Sequence, residues 1–235
     1  MHRPALLLLG SSCAFLAALE VTPEPGLDVS DYIDRPEPGL SVDSGWCHDL
    51  RLVGGAASPV LYAEVGNRTV HAIRDYGAHA ALQYVLSRAG GGLGWGLGLE
   101  AAYDDHVGEA DRISGAPARG SGVYARLQSL CLGIQPKLMV RESADTVRGD
   151  LQMEFGPFGA AGVGRSKAGG SRQADDVLVW SWGVRADIIL TSERGWQYGL
   201  SAGYEYFTAE PAWDGAEGLI RGHGPTMALV FGRRL

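Results

Sequence analysis

The chain has 235 residues, 46% of them hydrophobic, with 35 glycines and a formal net charge of −7. That is long enough for one sizeable domain, too apolar for a disordered chain and too rich in glycine for a helical bundle. The acidic balance argues against a nucleic-acid partner, which basic side chains would have to hold.

The first stretch, MHRPALLLLGSSCAFLAALE, has Arg3 ahead of an apolar run of 15 residues from Ala5 to Leu19. This is the pattern of a secretory signal peptide over residues 1–19, and it is short for a membrane-spanning helix. Export would leave Cys47 and Cys131 in an oxidising compartment, where two cysteines are free to pair. There is no CxxC and no cysteine–histidine cluster, so the sequence predicts no metal site and no cofactor. Next come two near-repeats, PEPGLDVSD from Pro23 and PEPGLSVDS from Pro36. Residues 20–51 carry eight acids and two arginines. A Pro-rich acidic segment buries little surface, and residues 20–58 are predicted to be a disordered periplasmic tether.

From Pro59 onward the hydrophobic period becomes two. Residues 59–65 (PVLYAEV) make a short first strand. In residues 76–86, Tyr76, Ala78, Ala80, Leu82, Tyr84 and Leu86 share a face. Residues 93–104 set Leu93, Trp95, Leu97, Leu99 and Tyr103 against Gly94, Gly96, Gly98, Glu100 and Asp104. Residues 122–135 alternate with a change of phase near Ser129, as a bulge would produce. Residues 150–164 carry Leu151, Met153 and Phe155 on one side. Residues 178–190 set Leu178, Trp180, Trp182, Val184 and Ile188 against Ser181, Gly183, Arg185 and Asp187. Residues 196–206 set Trp196, Tyr198, Leu200, Tyr204 and Tyr206 against Gln197, Ser201 and Glu205. Met227, Leu229 and Phe231 keep step in the last strand, 224–234. Ala89–Gly92 and Ser192–Gly195 read as tight turns, whereas residues 107–121, 165–176 and 208–222 read as long polar loops. Short and long connections alternating at opposite ends are the wiring of an up-and-down barrel. The fold class is therefore all-β, an antiparallel transmembrane β-barrel of eight strands over residues 59–235.

Three features decide that the bulky face meets lipid. Aromatics cluster at strand ends: Tyr76, Tyr103, Trp180, Trp182, Tyr204 and Tyr206 toward the long loops, Tyr84, Trp95, Trp196 and Tyr198 toward the short turns. Aromatic rings with a polar edge favour the membrane–water boundary. From Trp196 to Tyr206 a strand covers about 33 Å, or ~24 Å along the normal at a ~45° tilt, which suits the ~25 Å apolar band of outer-membrane barrels. The opposite face carries Glu100, Arg126, Glu154, Arg185, Asp187 and Glu205, whose mixed signs suit a charge network filling a narrow lumen. Glycines at 94, 96, 98, 199 and 203 lie on that side and leave room for long side chains across it.

In these traits the chain resembles the small bacterial outer-membrane β-barrels of the OmpA-type or OmpX-like class. The resemblance is one of pattern and covers residues 59–235. It implies a non-enzymatic protein of the Gram-negative outer membrane with both termini in the periplasm. The partners it implies are outer-membrane lipid, lipopolysaccharide and the barrel-assembly machinery. Members of that class end their last strand on an aromatic residue; here Phe231 is the last aromatic and Leu235 the final residue.

Two other functions fit the alternation. A soluble secreted barrel would turn the bulky face inward around a small apolar ligand, leaving the glycine face toward water. A membrane-embedded lipid-modifying enzyme would need a nucleophile beside a base near the membrane surface. His79 sits on the polar face and His106 and His223 flank loops, but no serine or cysteine accompanies them in a recognisable motif. No catalytic residue is predicted.

Overall fold

The chain divides into two units, Met1–Ser41 and Val42–Leu235. A computed structural model describes residues 45–235 of the second, apart from 66–67, 91, 119–120, 122, 145–148, 169–171 and 214–215. The predicted signal peptide and most of the predicted tether lie outside the described residues.

Period-two alternation over long runs gives strands whose successive side chains point to opposite sides. They are β1 (Trp46–Ala57), β2 (Val60–Val65), β3 (Arg68–Gly90), β4 (Leu93–Ile113), β5 (Ala116–Pro117), β6 (Tyr124–Ala144), β7 (Gly149–Ala168), β8 (Arg172–Ser192), β9 (Trp196–Ala209), β10 (Ala212–Trp213) and β11 (Ala216–Arg234). No helix is found among the described residues. The long strands pair in the ring β1–β3–β4–β6–β7–β8–β9–β11, and β1 closes it against β11 through pairs such as Leu52↔Phe231 and Val53↔Val230. Every pairing is antiparallel. The eight-stranded barrel expected from the sequence is the fold. Closure removes every exposed sheet edge along the wall.

β1 and β2 are two parts of one wall strand, since both pair with β3 on one side and β11 on the other. The break falls at Ser58–Pro59, where proline has no N–H to give the ladder. Ser58 N–H bonds the Pro225 carbonyl at 3.0 Å and holds the strand in place across the gap. The barrel thus begins at Trp46, inside the stretch assigned to the tether, and not at Pro59. In β1, Trp46, His48, Leu50 and Leu52 face out while Asp49, Arg51 and Val53 are buried. Asp49 and Arg51, which made the segment look like a charged linker, are the residues sealed inside.

The tight turns fall where the sequence placed them. Gly92 and Gly195 take φ of 87° and 78° between β3 and β4 and between β8 and β9, a left-handed conformation that costs glycine least. The long polar loops are corrected. Strand pairing carries β4 on to Ile113, β7 to Ala168 and β9 to Ala209, and β8 and β11 start at Arg172 and Ala216. The β4–β5 connection is only Ser114–Gly115, both with positive φ. Alternation continues through these segments, but the inward residues are small, such as Ala110, Ala168 and Ala174, so the period is faint in the sequence. The phase change at Ser129 is also absent: β6 pairs with β4 and β7 through that point without a shift. The ladder slips instead at His71–Arg74 and at Gly164–Ser166. Cys47 and Cys131 are both free thiols.

Inside, the barrel carries two apolar clusters. A large one at the end of the strand extensions includes Leu61, Leu127, Val177, Phe207, Trp213 and Ile220. A smaller one includes Val53, Ala81, Ala102, Ile189 and Val230.

Candidate functional site: the lumen and the outer wall

Parity fixes which side chains enter the lumen, and the strands stack them in layers along the axis. Near the tight-turn end, β1, β6, β7 and β8 bring together Arg51, Lys137, Glu154 and Asp187. Arg51 donates through both terminal nitrogens to Glu154, at 2.7 and 2.9 Å, and also to Asp49 at 2.9 Å and to Gln197 at 3.0 Å. Lys137 bridges Glu154 at 2.5 Å and Asp187 at 2.7 Å. Gln152 donates to Glu154 at 2.6 Å, and Arg234 donates to Asp49 at 3.0 Å. These ions are out of water and pay for it through charge-assisted bonds to several partners each.

One layer further, Arg185 donates to Glu100 at 2.6 Å and its guanidinium lies 4.8 Å from the Phe158 ring centroid. Gln83 donates to Glu100 and to Gln135, both at 3.2 Å. Bare glycines make this filling fit. A Cβ on Gly96 would come within 2.6 Å of Met139 Cε and 2.9 Å of the Leu86 carbonyl oxygen. Above Glu100 lie His79, Asp104, His106 and Glu205, and above these the large apolar cluster.

Five of the six charges expected in the lumen are there: Glu100, Glu154, Arg185, Asp187 and Glu205. Arg126 is not. It faces outward on β6 and pairs with Asp105 at 2.5 Å, with Gln128 joining Asp105 at 3.2 Å. The expected phase change would have turned Arg126 inward; the unbroken ladder keeps it out. Asp49, Arg51 and Lys137 are lumen residues that the sequence reading missed. Lys137 lay beyond the strand read over residues 122–135, yet it stands two places from Gln135 and from Met139, all three inward. His106 was assigned to a loop edge but is 2% exposed inside β4.

The outer wall is apolar. Leu132 is 72% exposed, Met227 and Leu229 69% each, and Ile134 and Leu200 57% each. All ten aromatics expected at the membrane interface point outward: Tyr76, Tyr84, Trp95, Tyr103, Trp180, Trp182, Trp196, Tyr198, Tyr204 and Tyr206. Several pair, as Trp182 with Tyr206 at 6.1 Å and Tyr204 with Tyr206 at 5.3 Å between centroids. Trp46 joins them edge-on to Trp95 at 5.2 Å. His223 is outward too, hydrogen-bonded to the Tyr204 hydroxyl at 2.7 Å.

A closed eight-stranded antiparallel ring with large apolar side chains outside and ions inside is the architecture of a transmembrane β-barrel. No family model matches the sequence, and no curated protein matches it either. Solved structures similar to it include Neisserial surface protein A, NspA, at a TM-score of 0.32 and 11% identity, over 80% of this chain and 98% of that one. Ail, the attachment invasion locus protein of Yersinia pestis, is similar at a TM-score of 0.32 and 10% identity, over 80% and 99% of the two chains. The outer membrane protein AlkL, determined by solid-state NMR in DMPC lipid bilayers, is similar at a TM-score of 0.26 and 10% identity, over 79% and 90%.

Proposed function

We propose that this protein is a non-enzymatic barrel of a Gram-negative outer membrane, with a plugged lumen, which anchors its strand extensions at the cell surface. One observation carries the reading: the wall exposes leucines, valines and aromatics on its outside while it buries arginines, a lysine and carboxylates within. In water that arrangement is inverted, because a soluble barrel covers its apolar side chains. In a bilayer it is the favourable one, since an arginine or lysine at the midplane costs ~2–4 kcal/mol. A soluble carrier of an apolar ligand would need the opposite parity.

A plug is supported by geometry at two levels. The bore of an eight-stranded barrel is just wide enough for side chains to fill, and here the Arg51–Glu154–Lys137 layer and the apolar cluster around Phe207 and Trp213 both cross it. A non-catalytic role is supported by the histidines. His79 and His106 lie inside the wall, away from lipid, and His223 is engaged by Tyr204. Both Trp46 and Leu235 stand at the tight-turn end, joined there by the bond from Leu235 N–H to the His48 carbonyl at 2.8 Å. With the described ends in the periplasm, the extensions of β4, β6, β7 and β8 reach outward. From Tyr103 to Ile113 that is about 33 Å of strand, or ~24 Å of height at a ~45° tilt.

The full chain is expected in the membrane fraction, extracted by detergent but not by salt or carbonate. On gels it is expected to migrate at one position unheated and at another after boiling. Recovery of folded protein free in the periplasm overturns the reading.

A further inference from the structure

Asp104 and His106 enter the lumen from β4, and Glu205 enters from β9, which stands opposite β4 in the ring. One carboxylate oxygen of Asp104, one of Glu205 and one ring nitrogen of His106 lie within 4.8 Å of one another, and all three residues are buried. His79 on β3 bonds the Asp104 carboxylate through Nδ1 at 2.7 Å. Ser181 bonds Glu205. Arg185, one layer below, is already engaged by Glu100 at 2.6 Å.

Two features mark this cluster off from the salt-bridged layers. Below it each carboxylate has an arginine or lysine in contact, whereas Asp104 is paired with His79 and Glu205 has no ion pair among the described residues. Buried carboxylates without a paired cation are costly. The second feature is His106. It is 2% exposed, and its Nδ1 has no hydrogen-bond partner, a rarity for a buried polar atom. Its ring is held flat against Phe207, with centroids 4.3 Å apart and planes 5° apart. On its other side it lies over Gly77, where a Cβ would come within 2.6 Å of Nδ1. A buried imidazole clamped in this way, with one ring nitrogen within 4.8 Å of two carboxylate oxygens, is a preorganised nitrogen donor.

We propose that Asp104, His106 and Glu205 bind one divalent first-row transition-metal ion, with His79 positioning Asp104. Two carboxylates and a neutral imidazole balance a doubly charged ion, and mixed nitrogen and oxygen donors suit that class of metal. Tetrahedral ligand atoms ~2.0–2.2 Å from such an ion stand roughly 3.3–3.6 Å apart, so a separation of 4.8 Å closes by up to about 1.2–1.5 Å on loading. Histidine and carboxylate partners behind the ligands are a usual support for such sites. The apolar cluster above excludes bulk water and leaves the ion's remaining positions to whatever water the pocket holds. An ion there would tie β4 to β9 across the bore and add a third closure.

The test uses the full chain, refolded into detergent micelles and stripped with chelator, then titrated with Co(II) and with Zn(II). One bound ion per folded chain after desalting is expected, with visible Co(II) absorption that Zn(II) displaces. His106→Gln and Glu205→Gln are each expected to weaken binding at least tenfold while heat-modifiable migration is kept. His79→Phe is expected to weaken it less and to shift the Co(II) bands. His223→Gln, on the outer wall, is expected to bind as the unaltered protein does. Absence of Co(II) absorption from folded wild type overturns the proposal, and so does binding that survives both His106→Gln and Glu205→Gln. Should His106→Gln not fold, the near-isosteric Glu205→Gln decides between these outcomes. Failure here leaves membrane extraction and gel migration unchanged, so it is distinguishable from failure of the barrel reading.

Discussion

Arg51 shows what one residue contributes to this fold. Its guanidinium is fully buried and serves Asp49, Glu154 and Gln197 at once. Removing one partner of such a set leaves uncompensated charge in a low-dielectric lumen, at about 3–5 kcal/mol. Arg51→Met keeps most of the side-chain volume and is expected to destabilise the folded barrel by that amount in a urea titration followed by tryptophan fluorescence. The double variant Arg51→Met, Glu154→Leu is expected to lose clearly less than the two single losses added together, because it removes the stranded charge. Additive losses would show that the pair is not coupled. Net charge over residues 20–51 has no direction, so a side chain sealed inside and one in water count alike. Glu100, Arg185, Asp187 and Glu205 were legible because each stands opposite clean apolar neighbours on its own strand. Arg126 was misplaced because its side depended on one inferred change of phase. The Asp104–His106–Glu205 group could not be read at all: β4 and β9 lie far apart in the chain, and only ring closure brings them across the bore.

At the scale of a strand, β9 is the sharpest case. Trp196, Tyr198, Leu200, Ala202, Tyr204 and Tyr206 face out, with aromatics at both ends and aliphatic residues between. Leu200 lies midway between the belts, so Leu200→Arg is expected to cost ~2–4 kcal/mol in lipid vesicles. Gln173→Arg, on the strand extension of β8 and well beyond Trp180, is expected to cost less than ~1 kcal/mol. Reversible unfolding in vesicles measures both, and equal costs would show that Leu200 does not meet hydrocarbon. The same alternation made the spanning part of most strands legible from sequence. It failed above the upper belt for a physical reason: there many inward residues are alanines, such as Ala110, Ala168 and Ala174, between the larger ones, so hydrophobic contrast across the strand is weak. β1 was missed at the other end because its outward row, Trp46, His48, Leu50 and Leu52, follows directly on an acidic Pro-rich segment. Parity is a stronger signal than composition, but it needs contrast between the two faces.

For the whole molecule, the layers act in series along one bore. In the proposed plug, the polar layers fill it with paired side chains, and losing one of them opens a gap that water can enter. The apolar cluster would close it differently, because Leu127, Phe207 and Ile220 offer water no partners. Gly222 is part of that seal: any Cβ there would run into the Phe207 ring, which is stacked on His106. A current needs every level open at once. Wild type is therefore expected to be silent in planar bilayers, and Arg185→Ala is expected to be silent too, since the apolar level above it stands. Gly222→Val in the Arg185→Ala background pushes Phe207 out of the seal, and single-channel steps are expected from that double variant. Steady current from Arg185→Ala alone would mean that the apolar level does not hold and that the ion pairs by themselves keep the lumen shut.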